Sequence, residues 1–429
     1  MKSGLQKLLS APRRASGAVR LPGLIVLAGV VLVVAGLALH FWYGNGRQPM
    51  PWMADNWVAT WGAAPGTPKA GDAQAFKDQT LRMVVHTTIG GKKVRIRVSN
   101  ELGTAPLRIG AARVALRKSG ASIVAGTDRV VTFGGAQSIT VPAGAPVLSD
   151  PVELDVPRLA DLAVSLYLPG KAEATTIHAW ASQTGYVSPT GNFASAAEMP
   201  AERTITSWPF LTEVDVAAPD AVAIVALGDS ITEAGTSTID ANQRWPDLLA
   251  SRLLGEPGKA GTERPGGRLG VVNRGISGNR LLRDPHDEPL YGKAGLARFD
   301  REVLATAGVR YLIVLIGIND IGHPGFGKVS PAEAPTPADL IAGYRQIIAR
   351  AHEKGIVVYG ATMTPFEGTV HPGWYTPQKG AVRDAVNSWI RTSGEFDGVI
   401  DFDLALRDPA HPTRLLAKYD RGDHLHPND

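Results

Sequence analysis

No cysteine occurs among the 429 residues. That excludes a disulfide framework, a thiolate nucleophile and any cysteine-ligated metal site. It leaves the compartment open, because exported and cytosolic proteins can both lack cysteine. The ten histidines do not assemble a metal-ligand spacing. His424 and His426 stand two apart with no third ligand set, so no metal is expected. No Gly-x-Gly-x-x-Gly follows a strand-like run, which argues against a dinucleotide site. Taken together, no cofactor is expected. Positive charge is also scarce in the body of the chain. The net charge is +4, but Lys2, Lys7, Arg13, Arg14 and Arg20 put +5 into the first twenty residues, which hold no acid. The remainder therefore carries a net −1, and nothing in it suggests a nucleic-acid partner.

What is present is an ordinary globular composition, 44% hydrophobic and 20% charged, with enough apolar residues for a sizeable core. The length suggests roughly two to three domains. Residues 1–20 read as a basic cytoplasmic tail. Residues 21–43 read as a transmembrane anchor: Leu24 to Leu39 is an unbroken run of apolar residues and glycine, followed by Phe41, Trp42 and Tyr43. About 20 apolar residues span a bilayer as a helix. The basic flank belongs inside and the aromatic trio at the far interface, so the rest of the chain is expected outside the cytoplasm. A cleaved signal peptide, giving a secreted protein, is the rival reading; the run is long for one and lacks a small-x-small cleavage site. Residues 44–54 read as a linker.

Residues 55–218 carry a strand texture. Lys93–Asn100 alternates apolar and polar residues, as a half-buried strand does. Further short apolar runs lie at Ser122–Val124, Val130–Phe133, Ser138–Val141, Val152–Leu154 and Leu162–Leu168, separated by glycine and proline turns. The pattern predicts a β-sandwich-like domain, with Trp57 and Trp61 in its core. From residue 219 the texture changes. Ala221–Leu227 is a continuous apolar run, as in a strand buried on both faces, and similar runs follow at Leu269–Val272, Tyr311–Ile316, Ile356–Tyr359 and Val399–Phe402. Helical patterns at Arg244–Leu254, Pro337–Glu353 and Lys379–Thr392 lie between them. The alternation predicts an α/β domain over 219–429, three-layered around a parallel five-stranded sheet.

Active sites of such sheets gather at the carboxyl ends of the strands. There this chain places Gly228-Asp229-Ser230, then Ile276-Ser277-Gly278-Asn279-Arg280, then Gly317-Ile318-Asn319-Asp320, and finally Asp423-His424-Leu425-His426-Pro427. These residue types suit acyl transfer. A serine hydroxyl is a weak nucleophile and needs a positioned base, which His426 can be. Asp423, three residues earlier, can hold the imidazole. The oxyanion of a tetrahedral intermediate needs fixed donors: the Ser230 N–H at a helix start, the Gly278 N–H and the Asn319 amide. Asp229 is expected to hydrogen-bond within its turn, and His424 to be peripheral. Asp320 and His323 read equally as pocket lining or as a solvated loop. Arg280 is a candidate for an acidic substrate group. Trp374 and Tyr375, in a Pro/Gly-rich loop with His371, are candidates for an aromatic or sugar-stacking platform.

Four blocks in order (GDS, the glycine of SGN, the asparagine of GIND, and D-x-x-H-P) resemble the SGNH, or GDSL, hydrolase superfamily over about residues 221–429. The resemblance implies a flavodoxin-like fold and ester hydrolysis with Ser230, Asp423 and His426 as triad and Ser230, Gly278 and Asn319 as oxyanion donors. Asn56–Gly62 and Arg97–Asn100 are similar to the N-terminal part of a bacterial two-domain subfamily of arylesterases, acylhydrolases and carbohydrate esterases. The chain departs from the family at its end: it stops at Asp429, where the family continues with Gly-Tyr and a helix, so it reads as a fragment. The expected substrate is a small-molecule or glycan ester met at a bacterial cell membrane. The same five residues would serve an O-acyltransferase on envelope polysaccharide. A surface glycan-binding protein with an inert α/β domain is the reading from another class.

Overall fold

The alternation read in Lys93–Asn100 forms the strand Gly91–Ser99 in the computed structural model. Val94, Ile96 and Val98 are fully buried, while the intervening basic residues face outward and pair with acids such as Asp215 and Glu213. The structure describes residues 55–255 and 268–429. The expected tail, membrane anchor and linker of residues 1–54 lie outside the described residues. Among the described residues no helix is long and apolar enough to cross a membrane.

Asp55–Asp429 form one compact unit. Its first part is β-rich. One antiparallel sheet runs in the order Trp57–Gly62, Leu211–Ala217, Gly91–Ser99, Val152–Val156, with Pro146–Leu148 also on Gly91–Ser99. The second runs Arg203–Ile205, Gly185–Thr190, Ala75–His86, Asp161–Glu173, Ala111–Ser119, Ser122–Ile123. Their apolar faces share one hydrophobic core that includes Met83, Ile96, Val114, Val164 and Trp61. The first and last strands of this region pair with each other, Trp57 opposite Ala217. The chain therefore leaves the β-rich region where it entered it. Several strands went unread in the sequence: Ala111–Ser119 buries only the small residues Ala112, Val114 and Ala115, too little apolar bulk to stand out, and Ala75–His86 and Gly185–Thr190 carry polar residues that find partners only across the sheet.

The parallel sheet follows. Its strands, numbered within this sheet, are β1 (Val222–Gly228), β2 (Leu269–Gly275), β3 (Val309–Leu315), β4 (Val357–Ala361) and β5 (Gly398–Ile400). Their order is β2-β1-β3-β4-β5. The helices are α1 (Ser230–Glu233), α2 (Trp245–Leu254), α3 (Gly295–Phe299), α4 (Ile318–Gly322), α5 (Pro337–His352), α6 (Pro377–Thr392) and α7 (Phe402–Leu406). β5 is shorter than its apolar run suggested. Asp401 accepts from the Leu404 N–H and so caps a helix that begins at Phe402. The chain steps from β1 to β2 on one side and then to β3 on the other. The ends of β1 and β3 are thus the switch point where such sheets open a crevice, and Ser230 and Asn319 follow those two strands.

Candidate active site

Ser230 opens the one-turn helix α1. Asp229 is its N-cap: buried, it accepts from the Ile231 N–H at 3.0 Å while its carbonyl takes the N–H groups of Thr232 and Glu233, so the Ser230 N–H is left without an acceptor among the described residues. Burial pushes the Asp229 carboxyl up to about 7. His426 reaches Ser230 from the far end of the sequence, its Nε2 2.8 Å from the Ser230 Oγ. On the other side of the ring, Nδ1 is 2.7 Å from Asp423 Oδ2. Asp423 Oδ1 accepts the N–H groups of His426 at 2.8 Å and Leu425 at 3.0 Å. Burial works against the charge on Asp423, but the hydrogen bonds from His426 outweigh it and hold the carboxyl far below the usual range. Asp423 is therefore ionised, which fixes the Nδ1–H tautomer and leaves Nε2 as a base. The loop carrying these residues is anchored by buried Leu425, by Asp429 on the Thr238 N–H at 3.0 Å, and by the Val370 N–H on the Asp423 carbonyl at 3.1 Å. His424 points away and pairs with Asp420.

Gly278 lies at φ +73° in the loop after β2. Among the described residues no acceptor takes its N–H. Asn319, almost fully buried, donates one Nδ2 hydrogen to the Asn279 carbonyl at 2.9 Å, so the amide's second hydrogen is free for another acceptor. The loop itself is clamped from several sides. Asp320 takes the N–H groups of Leu281 at 2.6 Å and Leu282 at 2.9 Å; burial raises its carboxyl to about 6. Asn279 donates to the carbonyls of Tyr291 at 2.6 Å and Lys293 at 2.8 Å, and accepts from Arg298 at 3.0 Å. Asp320 is thus a clamp on the glycine loop and does not sit in solvent.

The three outlying candidates are placed elsewhere. Beside Ser230 and His426 lies a cavity of about 260 Å³ walled by Ile231, Trp245, Leu315, Phe402 and Tyr419, among others. None of Arg280, Trp374 and Tyr375 lines it. Arg280 is 3% exposed, bound to Glu333 at 2.9 Å and to the Asp284 carbonyl at 2.5 Å, so its charge is already matched inside the protein. Trp374 is 5% exposed and sits over Gly322 against His323 and Phe326, so it is core and presents no platform. Tyr375 turns its hydroxyl to Glu367 at 3.4 Å and its ring to Phe366. Residues that the sequence did not single out pack around the Ser277–Gly278 loop. The Tyr291 ring covers Gly278 and stacks on His323. Glu233, on α1, binds Ser277, and His178 of the β-rich region faces Glu233. An acid three residues after the serine was visible in Ser-Ile-Thr-Glu; the partner 55 residues upstream was not.

Residues 226–429 match the model of the GDSL-like Lipase/Acylhydrolase family. No curated protein matches the chain. Among solved structures, AlinE4, an SGNH-hydrolase family esterase, is 20% identical, with 49% of this chain and 88% of that chain covered at a TM-score of 0.32. A GDSL-like lipase from Bacteroides thetaiotaomicron is 16% identical, with coverages of 48% and 79% at a TM-score of 0.32.

Proposed function

We propose that this chain, whose residues 226–429 match the GDSL-like lipase/acylhydrolase family, hydrolyses carboxylic esters through an acyl-enzyme on Ser230. The observation that supports this mechanism is the unbroken line Asp423–His426–Ser230, with contacts of 2.7 and 2.8 Å. In this reading His426 Nε2 takes the hydroxyl proton as Ser230 Oγ attacks the ester carbonyl. Asp423 stays ionised throughout and stabilises the imidazolium. The N–H groups of Ser230 and Gly278 and the second Asn319 amide hydrogen receive the oxyanion. His426 then returns the proton to the leaving alcohol. Water, activated by the same imidazole, cleaves the acyl-enzyme and regenerates the serine. The substrate is proposed to be a short-chain or glycan ester.

The test is hydrolysis of a short-chain p-nitrophenyl ester by the full chain beside Ser230→Ala. Native turnover should fall by at least about 10³-fold in the variant, the order expected when the nucleophile of a triad is removed. Stoichiometric labelling of Ser230 by an organophosphonate should accompany it. Turnover that survives Ser230→Ala would overturn the acyl-enzyme reading.

A further inference from the structure

Glu233 is 1% exposed and lies one turn after Ser230. Its Oε2 accepts the Ser277 N–H at 2.9 Å and also the Ser277 hydroxyl. Both hydrogens come from the residue before Gly278, so this one oxygen ties the nucleophile's helix to the glycine loop. Oε1 has no hydrogen-bond partner. What faces it, at 3.3 Å, is Nε2 of His178, a 5%-exposed ring on the strand Ile177–His178 of the β-rich region. His178 Nδ1 is 2.8 Å from the Ala64 carbonyl. A carbonyl can only accept, so Nδ1 carries a hydrogen, and in a neutral ring Nε2 then presents a lone pair. The Trp180 carbonyl is a second backbone acceptor near the ring and, like that of Ala64, favours its protonated form. A carboxylate oxygen and an imidazole lone pair cannot face each other at this distance in a buried site unless a proton lies between them.

We infer that His178 and Glu233 share one proton, and that this pair is a positioning device through which the β-rich region holds Ser277, and with it the Gly278 N–H, in place for the oxyanion. The inference rests on the ester-hydrolase reading for its catalytic meaning; the shared proton itself does not. Burial pushes the Glu233 carboxyl up to about 8 and the His178 ring down to about 4, so at neutral pH the proton resides on Glu233 Oε1 and is donated to Nε2. The charged neighbours are Arg244 at the start of α2, Arg298 of α3, and Glu302. Arg244 is paired with Asp247, and Arg298 with Glu302. Neither arginine hydrogen-bonds to Glu233 among the described residues, and their field only moderates the effect of burial.

Since the folded-state value is raised, the protonated pair persists below about pH 8 and is lost above it. Ionised Glu233 then repels the His178 lone pair and loosens Ser277. Turnover should therefore show an alkaline fall centred near pH 8. Glu233→Gln is the discriminating variant. Its amide donates to His178 Nε2 and its carbonyl accepts from Ser277, which copies the protonated acid and cannot ionise. It should keep kcat within about threefold at neutral pH and lose the alkaline fall. Glu233→Ala, which orphans Ser277, should lower kcat and kcat/KM together by ~10²-fold with KM unchanged, the pattern of a lost transition-state interaction. In imidazole nitrogen NMR of the full chain at pH 7, the His178 signal, assigned by its loss in His178→Phe, should report the Nδ1–H neutral tautomer. An alkaline fall unchanged in Glu233→Gln, a fully active Glu233→Ala, or an Nε2–H tautomer would each overturn the inference. A native chain with no Ser230-dependent turnover would instead remove the ester-hydrolase reading, and the tautomer would still decide whether the proton is shared.

Discussion

At Gly278 two constraints coincide. The backbone sits at φ +73°, a region costly for residues with a Cβ, and a Cβ built there would stand 2.4 Å from the Tyr291 ring. Tyr291 cannot swing away freely, because it stacks on His323 and its carbonyl holds Asn279. Alanine at this position must therefore push the loop, and with it the N–H proposed to receive the oxyanion. Gly278→Ala should reduce kcat by about 10²–10³-fold, the range for losing one oxyanion donor. The cost in unfolding free energy should stay near 1 kcal/mol, the order of a strained backbone position. A kinetic assay beside urea unfolding checks the pair of numbers. Equal and small effects on both would mean that the Gly278 N–H is not a donor. The same residue shows what sequence can reveal. Glycine in a Ser-Gly-Asn block after a strand is a legible signal, because the backbone has to come close to something there. Tyr291, the ring that makes glycine obligatory, lies thirteen residues on in a segment with no pattern of its own. Trp374 failed as a platform for a related reason: an aromatic residue in a Pro/Gly-rich loop looks exposed in one dimension, and only the packing of Gly322 beneath it reveals core.

Between elements, α5 fixes the end of β3. Tyr344, fully buried on α5, donates its hydroxyl to the Ile316 carbonyl at 2.5 Å, just before the Gly317–Asn319 turn. Gly317 has φ 126°, and a Cβ there would lie 2.8 Å from the same hydroxyl. The helix thus pins the backbone three residues ahead of the Asn319 amide. Tyr344→Phe leaves that carbonyl without its partner, and should cost about 1–2 kcal/mol in urea unfolding. It should lower kcat by less than about tenfold, since Asn319 keeps its bond to the Asn279 carbonyl. A loss of activity with unchanged stability would contradict this pinning role. Elements of this kind were largely legible. β1 to β4 are each built on a continuous apolar run, α5 begins at a Thr336–Asp339 capping box, and both signals are local. The β-rich region was read less completely. Its strands are stabilised by cross-strand partners far apart in sequence, as with Arg82, whose buried guanidinium bonds Ser165, Ala194 and Ala196. No window of neighbouring residues contains that information.

On the scale of the whole molecule, the β-rich region and the parallel sheet are joined by a buried ion pair. Arg274, at the end of β2, donates to the carbonyls of Ala63 and Thr212, each at 2.9 Å, and to the Glu213 carboxylate; both side chains are under 5% exposed. Glu213 lies on the strand Leu211–Ala217, which pairs with Trp57–Gly62, and that strand in turn packs on β2: a Cβ at Gly62 would meet Val272 at 2.6 Å. Burying these charges costs desolvation, so the pair need not be worth more than an apolar contact of the same shape. Removing one member is different. Arg274→Met strands Glu213, left only with Arg97 at 3.1 Å, together with two buried carbonyls. It should destabilise by about 3–5 kcal/mol, and Arg274→Met with Glu213→Leu should recover part of that, because the double variant removes the stranded buried carboxylate, while Arg97 loses its acid and the two carbonyls stay without a donor. Since the shared core runs from Met83 and Trp61 to Ile313 and Val358, unfolding of the full chain should show one transition covering both regions, displaced as a whole by Arg274→Met. Tryptophan fluorescence reports Trp57, Trp61, Trp180 and Trp208 on one side and Trp245, Trp374 and Trp389 on the other, so replacing either group by phenylalanine, together with Trp42 and Trp52, lets each region be followed alone. Coincident curves that move together are the expected result. Two curves, with only the β-rich one shifted by Arg274→Met, would show that the regions fold independently and that this contact does not couple them.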